Sequence, residues 1–167
     1  VPARPKKFLG IIIGTLPEVP AGWSEYEEEY EEDKAAIVAR YNKDGFRNMR
    51  IVKDSIYAVG PERLKIRITL DEGNKFYFRN ISFIGNTKYR SSYLDTVLGI
   101  KKGDLYNKEL FAQRINGSGD GRDITSLYMD YGYLFFQVMP VELNVANNQI
   151  NHQIRIIEGK EARFESC

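Results

Sequence analysis

Leu64-Lys65-Ile66-Arg67-Ile68-Thr69-Leu70-Asp71-Glu72-Gly73 is echoed later in the chain by Ile150-Asn151-His152-Gln153-Ile154-Arg155-Ile156-Ile157-Glu158-Gly159. Each run alternates apolar and polar residues and stops at Glu-Gly. Such alternation describes a strand with one face on a core and the other wet. A second match lies upstream of each run, Tyr41-Asn42-Lys43-Asp44-Gly45-Phe46 against Tyr128-Met129-Asp130-Tyr131-Gly132-Tyr133. Both read as a helix end, a glycine, and an aromatic that opens a strand. The two matches differ in offset by one residue, which the intervening turn loses. A short spacer and an aromatic strand start follow each Glu-Gly, at Phe76-Tyr77-Phe78 and at Phe164. The chain therefore carries two copies of one unit.

Working outward, the spacing of Ala36, Ile37, Arg40 and Tyr41 predicts a helix over Asp33–Tyr41 with one apolar stripe. Gly45 stands where a left-handed residue ends it. Ile124, Leu127, Tyr128 and Tyr131 repeat the stripe, and Gly132 repeats the stop. A hairpin follows each helix: Arg50–Ala58 with Leu64–Leu70, and Leu134–Asn144 with Ile150–Ile157, the latter turning at Ala146-Asn147-Asn148. The second copy also has a front half. Lys75–Ile84 reads as a strand with Tyr77, Ile81 and Phe83 on one face. Ser91 or Ser92 is placed to cap a helix over Tyr93–Leu98 that Gly99 ends. Asn107 is placed to cap a second helix with Leu110 and Phe111 inward, which Asn116–Gly121 breaks or turns into a loop. The order is β-α-α-β-β. In the first copy only the last helix and the hairpin are clear, so its first strand is expected upstream of Val1. The apolar hexad Phe8–Ile13 either fills that vacant position or drives association.

Composition narrows the function. The chain has 167 residues, 43% of them hydrophobic, which suffices for a core. With 24 basic and 23 acidic residues the net charge is +1, which argues against nucleic acid as the main partner. No apolar run approaches the roughly 20 residues needed to span a bilayer. The basic-then-apolar start lacks an initiating Met and is interrupted by Gly10 and Gly14, which reads better as an internal start in a larger protein than as a signal peptide. Cys167 is the only cysteine and His152 the only histidine, leaving little for metal sites or His-dependent triads. No cofactor and no enzymatic activity are expected.

Ile81-Ser82-Phe83-Ile84-Gly85-Asn86-Thr87, then Leu98-Gly99-Ile100-Lys101-Lys102-Gly103-Asp104-Leu105-Tyr106-Asn107, resembles POTRA domains of BamA-like outer-membrane assembly factors. Ser126–Phe135 and Glu158-Gly159 complete the pattern. The resemblance covers a whole module at 74–160 and a partial one within 1–73, with 161–167 beginning whatever follows. It implies an α+β fold of tandem modules, each a three-stranded sheet with two helices on one face. It further implies a place on the periplasmic side of the bacterial outer membrane, ahead of a membrane-embedded β-barrel. Expected partners are unfolded outer-membrane proteins and accessory assembly subunits, bound by strand addition. A two-partner secretion transporter or a cell-division protein, using the modules as a docking scaffold, is the alternative.

The residues support strand addition in their own right, because edge strands carry unpaired backbone groups that can template an extended chain. The candidate edges are Leu134, Phe135, Phe136, Gln137, Val138, Met139, Val141 and Leu143 in the second copy, and Ile51, Lys53, Ser55 and Tyr57 in the first. Pro140 limits how far pairing can run. Other features read plainly. The acidic run Glu25–Asp33 is a solvated helix start favoured by the helix dipole. His152 takes the slot of Ile66 and is expected to be partly buried or peripheral. Gly117, Gly119 and Gly121 lack the Gly-Lys-Ser/Thr of a phosphate loop and read as a flexible loop. The 11 tyrosines come without the basic stripe of a nucleic-acid face.

Glu72, Gly73 and Asn74 form the junction between the copies, and so short a linker should restrict bending. Solution scattering should fit a narrow range of inter-module distances; a profile of freely tumbling modules would contradict this.

Overall fold

The computed structural model describes residues 8–11, 24–58 and 64–162. They form two compact units, one of residues up to Asn42 with Phe46–Asn74, the other of Lys43–Gly45 with Lys75 onward. The first contains β1 (Phe8–Ile11), α1 (Ser24–Lys43), β2 (Arg50–Ala58) and β3 (Leu64–Asp71). The second contains β4 (Tyr77–Ile84), α2 (Ser91–Leu98), α3 (Lys108–Ile115), α4 (Ile124–Asp130), β5 (Gln137–Ala146) and β6 (Gln149–Ile157).

In the first unit the sheet order is β1-β3-β2, with both pairings antiparallel. Ile66, Ile68 and Leu70 face the core with Met49, and Tyr30, Ile37, Val38 and Tyr41 of α1 cover them. The helix begins well before Asp33, and Glu28, Glu29, Glu31, Glu32 and Asp33 are exposed on its first half. Its buried stripe is Tyr30, Ile37, Val38 and Tyr41; Ala36 and Arg40, expected inward, are exposed. Part of the Phe8–Ile13 hexad takes the third strand position, with Phe8 opposite Thr69 and Ile11 opposite Ile66. It runs antiparallel to β3, whereas β4 runs parallel to β6. Direction alone shows that β1 is not the counterpart of β4.

In the second unit the order is β4-β6-β5, with β6 central. Ile150, His152, Ile154 and Ile156 alternate inward along β6 as a half-buried strand demands. Leu94 and Leu98 of α2, Phe111 and Ile115 of α3, and Ile124 and Tyr128 of α4 close over that face. Each fully buried side chain of this size contributes about 1.5–3 kcal/mol. Asn147 and Asn148 both have positive φ, 51° and 59°, as a two-residue hairpin turn matched to strand twist requires.

Several positions depart from the sequence reading. A bulge between Phe78 and Asn80 shifts the alternation of β4, so Phe76 and Phe78 are buried and Tyr77 is turned out. Leu110 and Tyr131 are exposed, while Phe111 and Ile115 point inward. The residue capping α2 is Arg90, which makes no side-chain cap bond, rather than a serine; Asn107 caps α3 by accepting from the Leu110 N–H at 2.9 Å. His152 is only 4% exposed, fully in the core rather than peripheral, and its ring stacks on Tyr106 beside Phe78 and Phe111.

The glycine-rich break divides the second helix into α3 and α4 and is tied down by a residue the sequence reading passed over. Asp123 is 1% exposed, and its carboxylate accepts from the N–H and Oγ of both Ser118 and Ser126 at 2.9–3.1 Å. Burial alone would raise its pKa; the Ser126 and Ser118 bonds hold it below the usual carboxylate range. Thr125 Oγ1 donates to the Ile115 carbonyl at 2.9 Å, joining the start of α4 to the end of α3.

Both helix stops recur physically. The Phe46 N–H bonds the Tyr41 carbonyl at 3.0 Å and the Tyr133 N–H bonds the Tyr128 carbonyl at 3.2 Å, each closing over a glycine of positive φ. Gly85 answers a different need. At φ +84°, an added Cβ would lie 2.0 Å from the Ile156 carbonyl oxygen. Gly103 has a similar φ of +93° but nothing within 4 Å. Gly103→Ala should therefore cost only the left-handed backbone, about 1–2 kcal/mol, and Gly85→Ala at least about 3 kcal/mol. Urea unfolding followed on amide signals of the second unit measures both; equal losses would refute the close approach.

Candidate polypeptide-binding edges

Because β6 and β3 are central, β5 and β2 are edges of their sheets. The apolar run at 134–143 does not act as one element. Leu134, Phe135 and Phe136 precede β5 in a turn, with the Phe136 N–H donating to the Tyr133 carbonyl at 3.0 Å. Phe136 is core, 7% exposed and stacked on Tyr128 with ring centroids 4.2 Å apart. Phe135 is 73% exposed, and Leu134 is exposed beside it. The strand itself carries Gln137, Val138, Met139, Val141 and Leu143. Val138 lies opposite inward Ile156, while Met139 and Val141 lie opposite Arg155 and Gln153 on the open face. Met139 is 58% exposed, and Leu143 sits at a register shift where the strand bulges. Ile157, the partner of Gln137, is also exposed. The open face thus joins an exposed apolar strip to a strand ten residues long whose outer side pairs with no described strand. Pro140, opposite Ile154, interrupts that side as one missing donor.

The residues expected on β2 are split by a second bulge. The register shifts between Ile51 and Lys53, so Ile51 packs on the core whereas Lys53 is exposed and Ser55 half-buried; only the backbone pairing of Tyr57, with Lys65, is described. Between them Asp54 turns toward α1, which the sequence reading did not anticipate. Its carboxylate accepts from Lys34 Nζ and Tyr30 Oη, each at 3.0 Å, and Lys34 also pairs with Glu31 at 2.6 Å. The Lys34 bond holds the Asp54 carboxyl below its usual range, and burial together with Asp54 pushes the Tyr30 hydroxyl up to about 12. An acidic residue within a strand that otherwise carries only basic charges was the available signal. This network fastens the edge strand to the helix beside it.

The Glu-Gly that closes each repeat also has a physical role. Glu158 Oε1 accepts from Tyr128 Oη at 2.9 Å and from the Thr87 and Lys88 N–H groups at 2.8 Å, and Oε2 accepts from Thr87 Oγ1. One carboxylate therefore joins the end of β6, helix α4 and the turn after β4. In the first unit Tyr41 likewise hydrogen-bonds Glu72, which with burial raises its pKa. The tyrosine–glutamate pair recurs with the repeat. Among the described residues no group of three or more His, Cys, Asp or Glu side chains could hold a metal ion, and no helix is long and apolar enough to cross a membrane.

Comparison with known proteins places this geometry. The family model for POTRA, the surface antigen variable number repeat, matches residues 76–159. The outer membrane protein assembly factor BamA of Neisseria meningitidis serogroup B is 24% identical over 139 residues, which cover 78% of this chain and 17% of that protein. Among solved structures, POTRA3-5 of Haemophilus influenzae BamA is similar with a TM-score of 0.54 at 16% identity, covering 96% of this chain and 70% of that one. BamA of Haemophilus ducreyi lacking POTRA domains 1-3 is similar with a TM-score of 0.56 at 14% identity, covering 87% and 29%. The structural likenesses bear on the fold, which is the expected α+β arrangement, with the second helix of the complete module in two parts.

Glu158 has an acid signature. Burial would raise its pKa, but the bonds from Thr87, Lys88 and Tyr128 hold it below its ordinary 4.5. A depressed carboxylate contributes its stability above the unfolded value and loses it as pH falls through the folded one. Thermal stability of the second unit should thus fall as pH drops below about 4.5, and Glu158→Gln should remove that part of the dependence. At neutral pH the substitution should cost roughly 1.5–3 kcal/mol. An unchanged acid profile in Glu158→Gln would contradict the bonded carboxylate.

Proposed function

This chain belongs to the POTRA family, the surface antigen variable number repeat, and from that premise we propose that it supplies polypeptide-binding modules to an outer-membrane β-barrel assembly factor on the periplasmic side of the membrane. The modules are residues 1–73, partial, and 74–160, complete, with Glu72, Gly73 and Asn74 as the hinge. The matched stretch spans 17% of the Neisseria relative, so the proposal includes a longer protein that continues into a membrane β-barrel. Unfolded outer-membrane proteins and accessory subunits are the partners, and the modules act as scaffolds rather than enzymes.

The observation that carries this reading is the outer side of β5. It offers ten residues of edge backbone beside exposed Phe135, Met139 and Leu143. An extended client gains main-chain hydrogen bonds there, and its alternate side chains meet an apolar strip. Backbone pairing reads no particular side chain, which suits a binder of many clients. Pro140 and the bulge at Leu143 shorten the usable ladder, and they also restrain sheet-to-sheet aggregation at an otherwise sticky edge.

NMR titration of the labelled chain with peptides from outer-membrane β-strands tests this. Shifts should concentrate on Gln137–Leu143 and Arg50–Ala58 at roughly millimolar to micromolar affinity. Met139→Glu, on the exposed face, should weaken binding roughly two- to fivefold with unchanged thermal stability. Saturating peptide without shifts at either edge would overturn strand addition.

A further inference from the structure

The opposite edge of the second sheet is built differently. Along the outer side of β4, the chain's own connector supplies a short ladder. The Tyr106 N–H donates to the Phe76 carbonyl at 2.9 Å, the Phe78 N–H to the Asp104 carbonyl at 2.9 Å, and the Gly103 N–H to the Phe78 carbonyl at 2.8 Å. Leu105 bridges Tyr77 in the antiparallel sense. The cover ends at Phe78. The bulge follows, and among the described residues only β6 pairs with Asn80–Ile84. The edge is therefore sealed over its first half and open over its second.

A cleft of about 540 Å³ opens where the connector leaves the edge. Ile81 and Ile100 give it a half-buried apolar floor, and Arg79, Lys101 and Lys102 stand on it as exposed cations. One carboxylate, Asp95, opposes these three charges. None of the three cations forms an ion pair among the described residues. Open strand backbone, an apolar floor and a local cationic excess, in a chain whose net charge is only +1, together specify a ligand. It must be extended, to use the backbone, and acidic, to use the charges.

We propose that this cleft binds an acidic, extended polypeptide segment of a partner protein. The segment continues along Asn80–Ile84 the antiparallel ladder that residues 103–106 begin, with its carboxylates on Arg79, Lys101 and Lys102. The site rests on the strand-adding mode of the proposed function but lies on the other edge of the sheet. One module thus takes two chains of different chemistry: an apolar client at β5 and an acidic partner segment at β4.

The test uses the whole labelled chain, two peptides of equal length and identical apolar alternation bearing either Glu or Lys at the remaining positions, and inorganic phosphate and anionic phospholipid vesicles as separate probes. The acidic peptide should shift Asn80–Ile84, Lys101 and Lys102, and should weaken with salt. Combined Arg79→Glu, Lys101→Glu and Lys102→Glu, all at exposed positions, should lower its affinity roughly tenfold or more and favour the basic peptide, while the spectrum elsewhere shows an intact fold. Equal binding of the two peptides at β4, or no shift there, overturns the proposal. So do phosphate or vesicles that reproduce the same shifts and displace the peptide, since they would make the site a phosphate or headgroup site. Shifts at β5 report separately on the proposed function, so either claim can fail alone.

Discussion

Burial of one face of a central strand is the constraint from which the second unit follows. Ile150, His152, Ile154 and Ile156 leave water together only if β6 is covered by helices on that face and flanked by strands on both sides. The helices α2, α3 and α4 close the face, and β4 and β5 flank it. A three-stranded sheet with a buried centre necessarily has two edges, and among the described residues only a short connector along the start of β4 pairs with either. The unpaired backbone on which the proposed binding rests is thus a consequence of how the core is made. Glu158 completes the arrangement at the strand's end. Its carboxylate gathers the turn after β4 and the hydroxyl of Tyr128, so sheet and helices are joined at one point.

The edges are managed by different means. β5 has no described strand on its outer side and is interrupted by Pro140 and a bulge. β4 is covered for three residues by its own connector and then released into a cationic cleft. In the other unit β2 is fastened to α1 through Asp54, Lys34 and Tyr30. Each device limits indiscriminate pairing while leaving a stretch of strand available, which is how a protein can add strands without becoming a seed for aggregation. Bulges occur in β2, β4 and β5 and never in the central strands' role, since the two-against-one count falls on the edge partner each time.

Much of this was legible because the repeat and the strand alternation are strong signals. Ile66, Ile68 and Leu70 face inward as their spacing demands, both hairpins form, and Gly45 and Gly132 stop their helices. The misplacements trace to bulges and to buried polarity, neither of which leaves a periodic trace. Tyr77, which simple alternation places with Ile81 and Phe83, is turned out because one extra residue between Phe78 and Asn80 resets the phase. Ile51 and Lys53 part company for the same reason. Phe136 looked like part of a sticky strand but lies in the turn before it, stacked on Tyr128. Asp123 and Asp54 are single acidic residues whose value comes from partners brought close only by the fold. The direction of β1 is not legible in the sequence, because antiparallel and parallel pairing use the same four residues, Phe8–Ile11.

Backbone hydrogen exchange of the second unit, with and without a saturating outer-membrane strand peptide, tests most directly whether β5 accepts an added strand. Alternate amides of Gln137–Ala146, those that do not pair with β6, should exchange quickly in the free chain and become protected in the complex, while the amides of β6 stay protected throughout. Binding that leaves every second amide of β5 as exposed as before would contradict strand addition at that edge.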